Sequence, residues 1–133
     1  MKMIVKLAVL LATLLLFNGI VLAFPPCDYE ECYEVTTTLI DHPDIAIPPI
    51  FAKICLVYGD NIGKASRCGE DDVQMSLFFD SMNRQALGYA ENCVVYMKFH
   101  GDNNHVATGI EYCENERISF RGIKTDWDKC NCY

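Results

Sequence analysis

The sequence predicts an all-β fold, a small disulfide-stapled antiparallel β-sandwich or barrel of six to eight short strands. Short runs of alternating apolar residues are separated by Gly, Asn and Asp, which is typical of antiparallel strands joined by turns. Beyond residue 23 no segment repeats apolar residues at helical spacing for three turns. Eight cysteines in 133 residues then indicate a small domain held by cross-links.

The chain is expected to contain a signal peptide at residues 1–23 and a single secreted, disulfide-rich β domain at residues 24–133. A basic start, an apolar run over residues 7–17 and slim residues ending at Ala23 suit secretion and cleavage. An uncleaved membrane anchor is the alternative, but Asn18 and Gly19 interrupt the run and Pro25 follows it closely. We therefore expect a secreted, extracellular protein with no membrane span after cleavage.

All eight cysteines lie after this segment, so we expect four disulfides. Each would stabilise the fold by about 2–4 kcal/mol. A zinc site is disfavoured because the chain lacks two closely spaced cysteine pairs of the CxxC type. The cysteines are Cys27, Cys32, Cys55, Cys68, Cys93, Cys113, Cys130 and Cys132.

Taken in order, the domain opens with an acidic, aromatic stretch at residues 24–34, expected to be a tethered loop. A β-branched strand follows at 35–40, and a connector at 41–50 holds three prolines, which cannot donate to a β-ladder. Further strands are expected at 50–58, 64–68, 73–79, 86–90 and 117–121, the last with Ile118 and Phe120 facing inward. Residues 122–133 are expected to form a tail that its cysteines tie back to the body.

The clearest β-hairpin spans residues 93–113, where two alternating runs flank a Gly-Asp-Asn-Asn turn. Pairing His100 with His105 across a four-residue connection gives one apolar face that includes Phe99. That register places Glu111 on the other, polar face. It also puts Cys93 and Cys113 on opposite faces, so we expect each to bond a partner elsewhere.

The paired histidines are the strongest metal candidates in the sequence, and they are weak ones. His100 and His105 would lie side by side, yet two ligands without a third make a poor metal site. Acidic clusters do not follow the spacing of a calcium-binding loop. We therefore expect no metal site and no cofactor.

Charge, motifs and aromatic residues limit the classes of function that we expect of this protein. A formal net charge of −7 without a Lys/Arg run disfavours nucleic acid as a partner. No GxSxG or HExxH motif is present, so we expect no enzyme activity. Aromatic side chains on predicted outer faces and in loops, namely Phe78, Tyr96 and Trp127, are a candidate interaction surface, because binding hot spots favour such residues.

The leading hypothesis is a secreted, non-enzymatic binding protein whose loops and aromatics contact an extracellular protein. The first alternative is a carrier of a small apolar, lipid-like ligand, with strands 50–58 and 73–79 lining a cavity. A secreted enzyme that uses a histidine beside a carboxylate or serine is the third.

Overall fold

The computed structural model describes residues 24–69 and 74–131, so the predicted signal peptide lies outside the described residues. The described chain forms eight β-strands and two short 3-10 helices, Asp102–Asn104 and Trp127–Cys130. The strands are β1 Tyr29–Leu39, β2 Ile50–Val57, β3 Ile62–Arg67, β4 Gln74–Asp80, β5 Gln85–Ala90, β6 Cys93–His100, β7 Val106–Cys113 and β8 Glu116–Thr125.

The eight strands form a closed antiparallel barrel. Each strand pairs with the next along the chain, and β8 returns to pair with β1. The predicted all-β class is confirmed, and of the two architectures considered the chain adopts the barrel. The pairing of β1 with β8 decides this, because it closes the ring, so that one set of side chains on every strand points into a shared interior while the other faces out.

The first strand corrects the expectation of a loop at residues 24–34. Tyr29 pairs with Leu56 of β2, and Cys32 pairs with Thr125 of β8. The acidic residues of this stretch misled the prediction, although Glu30 and Glu34 are exposed at alternate positions, as outward strand residues should be. The pairing with β8 also shows that residues 122–125 are strand rather than tail.

The β6–β7 hairpin has a register one residue away from the predicted one. His100 lies opposite Val106, not His105, because residues 101–105 form the connection. Asn103 and Asn104 both adopt positive φ, 54° and 56°, in a 3-10 turn that takes one residue more than the expected connection. Since side chains alternate along a strand, the shift exchanges the two faces of β7.

The observed register leaves almost no space beside the backbone of Gly109. A Cβ atom built on Gly109 would lie 1.9 Å from the Tyr96 backbone oxygen and 2.6 Å from Cζ of Phe120. No other residue fits there without moving β6 or β8. The close backbone approach therefore favours glycine at the position opposite Met97.

The same shift brings Cys93 opposite Cys113, and the two are disulfide-bonded. The prediction that they cannot bond to each other was wrong, because it depended on the slipped register. Two further described bridges are Cys27–Cys55 and Cys32–Cys130, and the second ties the segment after β8 to β1 as expected. Cys68 is disulfide-bonded as well. These cross-links indicate a protein that folds in an oxidising environment.

The packed core fills one end of the barrel, which we call the closed end. It carries the β2–β3, β4–β5 and β6–β7 connections. Leu56, Phe79 and Phe99 are buried there, each close to the end of its strand, and the two phenylalanine rings meet edge to face. The opposite end, which we call the mouth, carries the connections β1–β2, β3–β4, β5–β6 and β7–β8.

Candidate functional site: a barrel cavity with one inward carboxylate

Above the closed end, the barrel interior is an unfilled cavity of about 430 Å³ that opens at the mouth. Tyr33 and Ile54 border it towards the packed core, and Val95, Met97 and Phe120 form part of its wall. The lining is mostly apolar. Its volume lies within the range of pockets that bind small molecules.

Small inward-facing residues explain why this space is not filled by the protein itself. Ala52, Ala65, Ala107 and Gly122 all line the cavity. An eight-stranded barrel has an interior just wide enough to be filled by ordinary side chains. Where several inward positions carry only a methyl group or a hydrogen, the middle of the barrel remains empty.

Glu111 places a carboxyl group in this apolar wall. Its cross-strand neighbours are Val95 on β6 and Ile118 on β8, and all three residues line the cavity. No described side chain or backbone group donates a hydrogen bond to the Glu111 carboxylate. Burial raises the pKa of Glu111, and the charge of Arg67 lowers it by a smaller amount.

Sequence reasoning placed Glu111 on the outer face, so its position is a correction as well as a finding. The slipped hairpin register reversed the orientation of the whole strand. One signal in the sequence favoured the true register, namely Gly109, which tolerates close packing. The hydrophobic pattern outweighed it because Val106 and Ile110 are apolar residues that face outward.

Arg67 also borders the cavity, from the last position of β3. With eight strands in a ring, β3 and β7 lie on opposite sides of the barrel. The Arg67 side chain is exposed and engages in an interaction besides its electrostatic effect on Glu111. The cavity entrance therefore carries one charge of each sign on facing walls.

Around these two residues, the connections at the mouth are predominantly acidic. The described acidic residues in or beside them are Asp41, Asp44, Glu91, Glu114 and Glu116. Arg117 neutralises one of these groups, since its Nη2 donates to Oδ1 of Asp41 at 2.6 Å and lowers the pKa of that carboxyl. The described part of the mouth therefore favours the approach of cations.

At the opposite end, a polar cluster is fully engaged within the protein. The Tyr33 hydroxyl donates to the backbone oxygen of Asn104 at 2.6 Å and lies 2.5 Å from the Tyr29 hydroxyl. Burial raises the pKa of Tyr29 to about 12 and that of Tyr33 further. Arg84 donates from Nε and Nη2 to Oδ1 of Asn104 at 3.1 and 2.9 Å, and from Nη2 to the backbone oxygen of Gly101. The side chains of this cluster cover the barrel interior at the closed end.

The two histidines are not cross-strand partners. His100 Nε2 lies 2.8 Å from the Thr108 hydroxyl, and His105 is exposed in the hairpin connection. Within the described ranges, the potential metal ligands that lie close together are those of Cys93, Glu111 and Cys113. Because the two sulfur atoms are bonded to each other, this group offers a single carboxylate and no thiolate.

The predicted aromatic interaction residues separate into two places. Phe78 and Tyr96 lie on the outer face of the barrel, 59% and 60% exposed, in one row with Leu87 between them. Tyr89 and Tyr112 extend this surface, and Tyr89 meets the Phe78 ring edge to face. We call these four exposed side chains the outer aromatic patch. Trp127 is exposed on the 3-10 helix Trp127–Cys130, which contacts β1 and β2 instead.

No helix among the described residues is both long and apolar enough to cross a membrane. In comparisons with known proteins, no family model matches the chain. No curated protein is similar enough to it to count as a relative.

Proposed function

We propose that this protein is a secreted, non-catalytic carrier that holds a small, mostly apolar ligand in its barrel cavity. The cavity of about 430 Å³ carries this proposal. A fully packed interior would have left no room for a ligand. The inward alanines and Gly122 instead leave the middle of the barrel empty, while the packed core lies at the closed end.

The size of the cavity limits the ligand. At about 30 Å³ for each water-sized atom, the space corresponds to roughly 14 non-hydrogen atoms. That suits a medium-length alkyl chain or a compound with two fused rings. A long-chain lipid would have to extend through the mouth.

The disulfides and the closed ladder suit a carrier, because a rigid wall maintains an empty cavity that would otherwise collapse. Leaving a core unfilled lowers stability in proportion to the cavity volume. The three described bridges offset such a loss by about 2–4 kcal/mol each.

Fluorescence titration with the neutral apolar dye N-phenyl-1-naphthylamine, whose naphthalene fits the cavity while its phenyl ring would extend into the mouth, tests the carrier function. We expect saturable enhancement with one site per protein. The variant Ala65→Phe, which extends a ring into the cavity, should abolish it. Ser76→Phe, which adds the same ring at an exposed position of β4, should leave it unchanged. Equal binding by both variants would contradict the proposal.

A second function is supported by the outer aromatic patch. Four aromatic side chains that are about half exposed make a surface of roughly 400 Å², within the range of patches that are often functional. Lys98 lies beside the patch on β6, and the outward positions of β5, β6 and β7 hold no acidic residue. This surface suits an extracellular partner protein with an apolar centre and acidic margin.

The double variant Phe78→Ser/Tyr96→Ser tests this second function, with Trp127→Ser as the control. A partner isolated from the extracellular fluid on the wild type and then purified should bind it in a fixed ratio. It should lose at least tenfold in affinity for the double variant and none for the control. Undiminished binding to the double variant would exclude the patch.

A further inference from the structure

Glu111 allows the chemical class of the ligand to be named. The residue lies on the inward face of β7, and its cross-strand neighbours in the cavity wall are Val95 and Ile118. A carboxylate removed from water is unfavourable unless hydrogen bonds or an opposite charge compensate it. Glu111 is half-buried, and no described group of the protein donates a hydrogen bond to its carboxylate. Water at the open mouth and the charge of Arg67 are what compensate it in the empty barrel, and a ligand that fills the cavity would have to replace that water.

Arg67 compensates it only in part. Burial has a larger effect on Glu111 than the charge of Arg67 does, and it raises the pKa of the carboxyl. The guanidinium belongs to a strand on the opposite side of the barrel, is exposed, and takes part in a further interaction. The carboxylate therefore retains capacity to accept hydrogen bonds from a ligand.

We propose that the ligand carries a cationic amine at one end of its apolar body and that Glu111 binds this amine near the mouth of the cavity. This inference rests on the proposed carrier function. An ammonium group suits the Glu111 carboxylate because it donates several hydrogen bonds and carries the opposite charge. The apolar body then extends from Glu111 towards Met97 and Tyr33, which line the deeper cavity.

The charges of the mouth support a cation independently of Glu111. Three connections at this end contain acidic residues within the described chain, namely those between β1 and β2, β5 and β6, and β7 and β8. These carboxylates raise the local concentration of cations and slow the entry of anions. A fatty-acid carboxylate would enter the same negative field, and Arg67 is the one cationic side chain in the described cavity lining that could bind it.

Three compounds with the same ten-carbon chain separate these possibilities: decylamine, decanol and decanoate. Their affinities for the oxidised protein are measured by dye displacement and calorimetry at pH 7.4, below the concentration at which they form micelles. We expect the amine to bind at least tenfold more tightly than the alcohol, and decanoate to bind most weakly.

The variant Glu111→Gln keeps the size of the side chain and removes its charge. In this variant we expect decylamine to lose at least tenfold in affinity while decanol keeps its own. Retained decanol binding shows that the variant is folded and that its cavity is intact. The control Glu91→Gln removes an acidic group from the β5–β6 turn at the same end, outside the cavity lining, and should change the amine affinity by less than threefold.

Each outcome is decisive. If the alcohol or decanoate binds as tightly as the amine, or if Glu111→Gln keeps full amine affinity, the amine inference fails and the carrier function stands. If none of the three compounds nor the neutral dye binds, the carrier function fails and the amine inference fails with it.

Discussion

Removing each described disulfide separately should destabilise the protein in an order set by the length of chain that it closes. The bridges are Cys32–Cys130, Cys27–Cys55 and Cys93–Cys113, with sequence separations of 98, 28 and 20 residues. A cross-link restricts the unfolded chain, and the restriction grows with the logarithm of the loop length. Removing the disulfide that closes the longest loop should therefore lower the free energy of unfolding the most.

The expected magnitudes follow from these separations. The chain-entropy relation gives about 4.7 kcal/mol for the 98-residue separation, about 3.6 for 28 residues and about 3.3 for 20. Burial acts in the same direction, because Cys32 and Cys130 are buried, whereas Cys93 and Cys113 are only half-buried. The double variant Cys32→Ala/Cys130→Ala should thus be at least 1 kcal/mol less stable than Cys93→Ala/Cys113→Ala.

Urea unfolding at 25 °C, followed by far-ultraviolet circular dichroism, measures these differences. The three double-alanine variants are compared with the wild type, and equal slopes against urea indicate that the unfolded surface is comparable. If the Cys93–Cys113 bridge proves to be the most stabilising of the three, the argument from loop length is refuted for this barrel.

Three further predictions concern single residues. Gly109→Ala should lower the free energy of unfolding by several kcal/mol in urea titration, because its Cβ would meet backbone of the neighbouring strand, whereas Gly59→Ala should have little effect because its Cβ meets nothing within 4 Å. Glu111→Gln should be more stable than the wild type at pH 7. The carboxyl pKa is raised above its unfolded value of about 4.5, so ionisation disfavours folding, and the advantage should vanish below about pH 4 in urea titrations across pH. Arg84→Met should lower the melting temperature, and it should lower the free energy of unfolding by about 1–3 kcal/mol, since the side-chain oxygen of the buried Asn104 loses both donors; an unchanged free energy would show that water replaces them.

The strands themselves could be predicted from the sequence. Alternation identified most of β4 and β6, a run that is apolar at both alternate sets of positions identified β2, and the inward positions of Ile118 and Phe120 on β8 were correct. Local patterning suffices for these strands because one face is buried and the other is in contact with water. The choice of a barrel over a sandwich depends on β1 pairing with β8, a contact between distant segments that no local pattern records.

The candidate site could not be predicted, because it depends on one register. A connection of four or five residues fits the Gly-Asp-Asn-Asn sequence about equally well, and Asn104 accepts the positive φ that the longer one requires. The apolar side chains of Val106 and Ile110 made the wrong face of β7 look like the core face. Glu111 was therefore assigned to solvent, although it lies in the cavity wall.

The complete ring of strand pairs determines how other molecules can recognise this protein. In an open sheet, the outermost strands present unpaired backbone N–H and C=O groups on which another chain can add a strand. Here every strand has two neighbours, so the described barrel offers no such row. Recognition must act through side chains and loops. For the same reason, the outer aromatic patch can be exposed without lying beside a strand that would template cross-β aggregation.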